Sequence, residues 1–441
     1  TDLGVPARLN DVLTKLDIHT PTPIQLATLP DALAGRDVLG RGRTGSGKTL
    51  AFLLPLVARL SGGPKARSGA PRALILAPTR ELAGQIEAVL VPLARATRLT
   101  SCTVFGGVGQ GPQVAALRRG IDIVVACPGR LEDLIAQRHC SLAAIEITVI
   151  DEADHMADLG FLPAVRRLLI ATPADGQRML FSATLDKAVD GLVRTFLDKP
   201  AVHQADSAQS PVGTMTHHVL HVNREDRLPV LVDLVAAPGR NVVFTRTKRG
   251  AKALAAQFTR AGIEAVELHG NLAQNARTRN LEAFHAGRVK VLVATDIAAR
   301  GIHVDDVRLV IHADPPADHK AYLHRSGRTA RAGNTGTVIT VSTHEQLREV
   351  EALTRAAGVK PTTTRVSRVD HAMHAVLDPA VDLTFAAREP RPAERVVVTK
   401  TAAPRAGDTV RGARRSGRRS AATVSAAHAT HSAARFSSGR R

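Results

Sequence analysis

Gly42-Arg43-Thr44-Gly45-Ser46-Gly47-Lys48-Thr49 has the G-x-x-x-x-G-K-[ST] spacing of a phosphate-binding loop. Glycine lets backbone N–H groups come close to a polyphosphate, so Thr44, Gly45, Ser46 and Gly47 are the expected cradle. Lys48 offers a point charge to the β- and γ-phosphates, and the Thr49 hydroxyl is an oxygen ligand for Mg²⁺. Asp37-Val38-Leu39 leads in as a short strand, and residues 50–54 lead out as a helix whose N-terminus favours an anion.

Outward from this loop, short apolar runs alternate with helical ones. The runs at 73–77, 103–105, 121–126, 147–150 and 179–181 are nearly all apolar, as in strands buried on both faces. This alternation predicts an α/β fold with a doubly wound parallel sheet, in which polar residues just past strand ends line the ligand crevice. Five sets stand there: Pro78-Thr79-Arg80-Glu81-Leu82, Gly106-Gly107, Pro128-Gly129-Arg130, Asp151-Glu152-Ala153-Asp154 and Ser182-Ala183-Thr184. In phosphate-loop ATPases a carboxylate at the end of a neighbouring strand holds Mg²⁺, the role expected of Asp151. The adjacent Glu152 is placed to polarise an attacking water as general base. Upstream, Thr20-Pro21-Thr22-Pro23-Ile24-Gln25 sets an extended entry to a helix, and the Gln25 amide pairs a donor with an acceptor, as the edge of adenine requires.

A polar stretch at 198–215 reads as a linker, and a second alternation follows it. Strand runs fall at 219–222, 241–245, 265–268, 289–294, 309–311 and 337–341, with helices at 250–261 and 273–285. The layout repeats without a phosphate loop. Its polar sets are Thr245-Arg246-Thr247, His269-Gly270-Asn271, Thr295-Asp296 and residues 324–331. Arg325, Arg328 and Arg331 recur every third residue, which on one helix aims them the same way. A guanidinium from here would reach a γ-phosphate held by the first half. His217, His218 and His221 have no Cys or carboxylate at ligand spacing and read as structural, as do His371 and His374.

The 441 residues carry a net charge of +19, with 44% hydrophobic and 2% aromatic residues, so the cores must be aliphatic, and the charge points to a polyanionic partner, nucleic acid being the usual one. Between Arg388 and Arg441, thirteen Lys and Arg face three acidic residues and few large apolar ones. That composition predicts a disordered basic C-terminal tail that tethers a phosphate backbone. Cys102, Cys127 and Cys140 lack C-x-x-C spacing, which argues against a disulfide framework or zinc site; Cys102 and Cys127 read as core thiols, and a cytoplasmic location is expected. No run approaches ~18 apolar residues, so no membrane span is expected, and the start lacks both a signal-type core and an initiating Met, suggesting a trimmed chain. The expected divisions are a first domain at 1–205, a linker at 206–214, a second domain at 215–365 and the tail at 366–441.

Taken in order, the motifs resemble those of the DEAD-box ATP-dependent RNA helicases over residues 1–360. The matching stretches are 21–25, 42–49, 78–82, 106–107, 128–130, 151–154, 182–184, 243–246, 269–274 with Arg277, 294–301 and 324–333. The resemblance implies two tandem RecA-like domains closing on ATP and RNA, with RNA-stimulated hydrolysis and local unwinding of short duplexes. It implies Gln25 on adenine, Lys48 and Thr49 on phosphates and Mg²⁺, Asp151 on Mg²⁺ through water, and Gly301 near the nucleotide. Glu152 would activate water, and Arg328 and Arg331 would reach the γ-phosphate. Asp154, Ser182, Thr184 and His324 would couple the domains. Thr79, Arg80, Gly107, Gly129, Arg130, Thr245, Arg246, Gln274, Arg277 and Thr295 would grip the RNA backbone.

The basic tail is similar to that of some bacterial members, such as the RhlE-type group, for which ribosomal or degradosome components would be partners. The chain departs from the family pattern at Cys127 (usually Thr), Gly42 (usually Ala) and His303 (usually an Asp near the ribose), and the aromatic expected just upstream of Thr1 is not in it. Two alternative readings share this core: an ATP-gated RNA clamp or assembly platform, and a DNA-directed helicase.

Overall fold

The structure is a computed structural model that describes residues 3–42, 45–204, 215–299, 307–330 and 335–366. Thr44, Gly301, His303, Arg331, the expected linker at 206–214 and the tail beyond 366 lie outside the described residues.

Two seven-stranded sheets, each parallel throughout, form the framework. The first contains β1 (Val38–Arg41), β2 (Ala73–Leu76), β3 (Ser101–Val104), β4 (Ile123–Ala126), β5 (Ile147–Ile150), β6 (Gln177–Ser182) and β7 (Ala201–Gln204). Its order is β3-β4-β2-β5-β6-β1-β7. The second contains β8 (Met215–His221), β9 (Arg240–Thr245), β10 (Ala265–Leu268), β11 (Val291–Thr295), β12 (Val307–His312), β13 (Gly336–Ser342) and β14 (Thr362–Arg365), in the order β10-β11-β9-β12-β13-β8-β14. Both sheets belong to the same compact unit. The expected pair of RecA-like, doubly wound parallel sheets is what the chain forms.

The apolar strands follow from burial on both faces. In β2, Ala73 and Ile75 join a core with the helices Lys48–Leu60 and Arg80–Ala96, while Leu74 and Leu76 point the other way, into a core with Leu131, Leu134, Val165 and Leu168. Successive side chains on a strand face opposite sides, so a strand with a helix layer on each side has no polar face to show. The second sheet repeats the arrangement, with Val243 in one core and Val242 and Phe244 in the other.

Two strands escape a reading by apolar runs. Ala201–Gln204 falls within the polar stretch that reads as a linker, yet it pairs in parallel with β1 along its whole length. The Asp37 carboxylate anchors it, accepting from the amides of Arg178 at 2.7 Å and Asp198 at 2.8 Å, while Ala201 N donates to Asp37 O. Met215, at the other end of that stretch, opens β8. The second such strand, Thr362–Arg365, pairs with β8 and is mostly exposed, so it carries no apolar signal.

The strand orders sort the polar sets. β5, β6 and β1 are adjacent, so the phosphate loop, Asp151-Glu152 and Ser182–Thr184 emerge together although they are far apart in sequence. β3, β4 and β2 are adjacent too, which gathers Gly106-Gly107, Pro128–Arg130 and Thr79–Leu82 at the other end of the same edge. In the second sheet, β10, β11 and β9 gather His269–Gln274, Thr295-Asp296 and Thr245-Arg246.

Candidate active site and nucleic-acid interface

The phosphate loop leaves β1 and ends at Gly47, the N-cap of the helix Lys48–Leu60, with φ +94°. An added Cβ there would lie 2.5 Å from Thr22 Oγ1 and 2.7 Å from Gln25 Nε2, so backbone shape and packing both demand glycine. Gln25 is buried beneath the loop. Its Nε2 donates to Gly47 O at 2.9 Å, and its Oε1 accepts from Thr22 N at 3.0 Å. Each end of an amide keeps capacity for one more bond, so loop support and adenine reading are compatible. Lys48 is buried, its Nζ donating to Gly42 O at 2.6 Å. Gly45, Ser46 and Thr49 flank it in the same loop and first helical turn.

Asp151 and Glu152 follow β5 and are both buried. Burial pushes the Asp151 carboxyl up, with the Glu152 and Asp154 carboxylates adding to it against an opposing Lys48. Burial also disfavours charge on Glu152, but His155, Lys48 and Arg328 outweigh it and hold that carboxyl low. Glu152 itself sits at φ +49°, a conformation that a non-glycine residue holds only when its surroundings enforce it. Buried carboxylates at Asp151 and Glu152, and a hydroxyl at Thr49 in the first turn of the helix Lys48–Leu60, are the oxygen-ligand chemistry that suits a hard cation. Among the described residues there is no group of three or more His, Cys, Asp or Glu that could hold a metal ion.

Asp154 Oδ2 accepts from Thr184 N at 2.9 Å and from Thr184 Oγ1 at 2.8 Å, while Asp154 N donates to Ser182 Oγ at 3.2 Å. These three residues thus close one network within the first lobe. His324 lies in the second lobe, on the helix His319–Ser326.

Arg325 and Arg328 do not share a helical face. That helix ends at Ser326, with Gly327 as its C-cap, so Arg328 lies beyond it and the spacing of three loses its meaning. Arg325 is buried and turned inward. It forks onto both oxygens of Asp296, donates to Asp314 O at 2.7 Å and stacks over Phe244. Arg328 lies in the turn that follows, and its positive charge contributes to keeping the Glu152 carboxyl of the first lobe low.

Residues 22–192 match the DEAD/DEAH box helicase family, and residues 225–333 match the helicase conserved C-terminal domain. The chain is 37% identical over 377 residues to "DEAD-box ATP-dependent RNA helicase 30" of Arabidopsis thaliana, covering 83% of this chain and 64% of the relative. It is 41% identical to the chloroplastic "DEAD-box ATP-dependent RNA helicase 3A" of Zea mays, covering 81% of this chain and 49% of that one. The chain belongs to the DEAD-box RNA helicase family. It spans about half to just under two thirds of the length of these curated relatives. Its backbone is similar to S. cerevisiae Dbp5 bound to RNA and ADP BeF3, with a TM-score of 0.74 and 28% identity over 86% of this chain and 98% of the other.

On this DEAD-box framework, the sets expected at RNA lie along the strand-end edges of both sheets. Thr79 caps the helix Arg80–Ala96, its Oγ1 accepting from Leu82 N. The Arg80 guanidinium packs against Gly107. Gly129 lies in the first turn of the helix Pro128–Ala136, and Arg130 donates to Val108 O at 3.2 Å, bracing the Gly106-Gly107 loop. In the second lobe, Thr245 and Thr295 end β9 and β11, and Arg246 N donates to Asp314 Oδ2 at 2.8 Å. Gln274 and Arg277 turn back to the first lobe, where Arg80 donates to Gln274 Oε1 at 3.1 Å and both second-lobe side chains donate to Glu81. Cys127 caps the helix Pro128–Ala136 without a side-chain bond, and burial pushes its thiol up to about 12, so it is an inert packing group.

Several residues that support this DEAD-box site have no role that the sequence alone assigns. Glu81 and Asp296 stand inside quoted motifs, but only their partners across the fold explain them. His155, Asp186 and Lys320 have no local signal. His155 meets Glu152, and Lys320 Nζ donates to Asp186 Oδ2 across the lobes at 3.2 Å.

Proposed function

We propose that this chain hydrolyses ATP when RNA draws its two lobes together, and that closure locally separates short duplexes. The observation that carries the reading is that side chains of the two lobes meet, Arg277 and Gln274 donating to Glu81 and Lys320 to Asp186, with the Arg328 charge of the second lobe helping to hold the buried Glu152 carboxyl of the first low. The first lobe supplies the loop, Lys48 and the carboxylates; the second supplies the guanidinium that would face charge developing on the γ-phosphate. Neither half is complete alone. Gln25 would read adenine, and Arg331 and Gly301 would join the site from outside the described residues. Mg²⁺ would be held by Thr49 and, through water, by Asp151, and would neutralise phosphate charge. Glu152 would take the proton of the attacking water.

The RNA would lie along the edge from Arg130 and Gly107 to Arg246 and Thr295, where contacts fall to backbone rather than to bases. Such contacts hold any sequence. Asp154, Ser182 and Thr184, together with His324 of the second lobe, would report closure on the nucleotide side. An RhlE-type placement and ribosomal or degradosome partners rest on the basic tail alone; the two curated relatives named above come from plants and the similar solved structure from yeast.

The test is steady-state ATP hydrolysis without polynucleotide, with RNA, and with single-stranded DNA of equal length. Strong stimulation by RNA and weak stimulation by DNA is the expected result. Equal stimulation by both would make this a DNA-directed enzyme, and full activity with neither would overturn the split-site reading. Duplex separation is read in parallel on a short labelled RNA.

A further inference from the structure

His155 is buried, and it touches the carboxylate on which the proposed hydrolysis depends. We propose that His155 is a positioning residue: its Nδ1–H holds Oε2 of Glu152 and leaves the other carboxylate oxygen to the attacking water. This inference rests on the ATPase reading above.

Three observations support it. Nδ1 lies 3.1 Å from Glu152 Oε2, one helical turn along, so the contact is built into the short helix Ala153–Asp158. The backbone of Glu152 is in the left-handed region, where its side chain cannot rely on ordinary helical rotamer preferences for its direction. His155 also donates its amide to Asp154 Oδ1 at 3.0 Å, so one residue brackets both carboxylates that flank Ala153.

The ring tautomer follows from its surroundings. Nε2 is buried and meets no hydrogen-bond partner among the described residues. A proton there would be an unsatisfied buried donor, and it would turn a bare Nδ1 lone pair onto a carboxylate. The proton therefore sits on Nδ1 and donates to Glu152. Free rotation of that carboxylate would scatter the general base among unproductive orientations, a loss that falls on turnover rather than on nucleotide binding.

The substitutions that separate this role from packing are Asn and Gln. Asn carries its amide nitrogen one bond from Cγ, where His carries Nδ1; Gln places it one bond further out, closer to Nε2. Wild-type protein, His155→Asn, His155→Gln and His155→Ala are compared in RNA-stimulated ATP hydrolysis. Thermal melting and binding of a non-hydrolysable ATP analogue are measured alongside. We expect Asn to stay within about threefold of wild-type kcat. Gln and Ala should lose about 10- to 100-fold in kcat, with KM for ATP changed by less than about twofold. If Ala does not fold, the Asn and Gln pair decides. Equal kcat in Asn and Gln, a joint shift of kcat and KM, or wild-type turnover in Ala would each overturn the inference. A wild-type protein without RNA-stimulated turnover would overturn the ATPase reading instead.

Discussion

Glu81 accepts from Arg277 Nε at 2.7 Å, joining the helix Arg80–Ala96 of the first lobe to the helix Gln274–His285 of the second. Gln274 Nε2 donates to the same carboxylate at 3.0 Å, and Arg80 donates to Gln274 Oε1, so four side chains, two from each lobe, form one clasp. Both charges are nearly fully buried. Such a pair holds only with good geometry, and removing one partner strands the other.

Arg277→Ala and Glu81→Gln should therefore favour the open lobes. The RNA concentration for half-maximal ATPase should rise by about tenfold or more, with ATP binding to the first lobe little changed. Burial alone would raise the Glu81 carboxyl, but Arg277 and Gln274 hold it below its ordinary 4.5. Its contribution to closure is thus complete above about pH 4.5 and fades as pH falls below that value. Inter-lobe energy transfer between dyes, followed in acid, checks the direction, and a wild-type slope in Glu81→Gln would argue against it.

Glu152→Gln should bind ATP analogue and RNA normally while turnover drops by about 10²–10⁴-fold. Arg328→Ala should lower kcat by about 10³-fold or more and leave ATP affinity nearly unchanged. Arg325→Ala should behave differently. It breaks a buried fork onto Asp296, so the second lobe itself should melt at lower temperature. Identical phenotypes for Arg325 and Arg328 would contradict the separate roles that the helix end at Ser326 assigns them.

Lys320 and Asp186 join the lobes on the nucleotide side, but both are partly exposed. An exposed pair is worth about 0.2–1 kcal/mol, so Lys320→Ala or Asp186→Asn should raise the half-activating RNA concentration at most about fivefold. Asn keeps the helix cap that Asp186 provides to Ala188 and Val189. The double variant should be no worse than either single one, and high salt should erase the difference. Additive losses would mean that the two residues act separately.

The second lobe should be acid-labile. Burial, with His218 nearby, lowers the His217 imidazole to about 4, and burial, with Arg325 and His217, lowers His312 well below 6.5. The unfolded chain takes up protons near pH 6.5 that the folded lobe refuses, so stability is full above that pH and falls as pH drops from about 6.5 toward 4. Each group contributes up to about 1.4 kcal/mol per pH unit. Melting temperature against pH gives the slope, and His217→Gln should flatten it.

Removing residues 388–441 should weaken RNA binding at low salt and make its salt dependence shallower. The log–log slope should fall by about 0.7 for each single-strand phosphate that the tail had neutralised. Unchanged affinity at low salt would show that the thirteen basic residues there touch no RNA.

Lys48, Glu152 and the alternation of strands and helices are legible in the sequence because their signals are local. A glycine-rich turn, a carboxylate after an apolar run and a helix start each occupy a few adjacent residues, and backbone geometry dictates them there. Strand order, the pairing of β7 with β1, the different fates of Arg325 and Arg328, and the partners of Glu81, Asp186 and His155 emerge only in the folded chain. Glu81 and Arg277 are 196 residues apart, and Lys320 and Asp186 are 134 apart. No periodicity marks such pairs, because each exists only after two sheets have formed and their edges have met. The chain itself specifies the chemical parts, and tertiary packing selects which of them face one another.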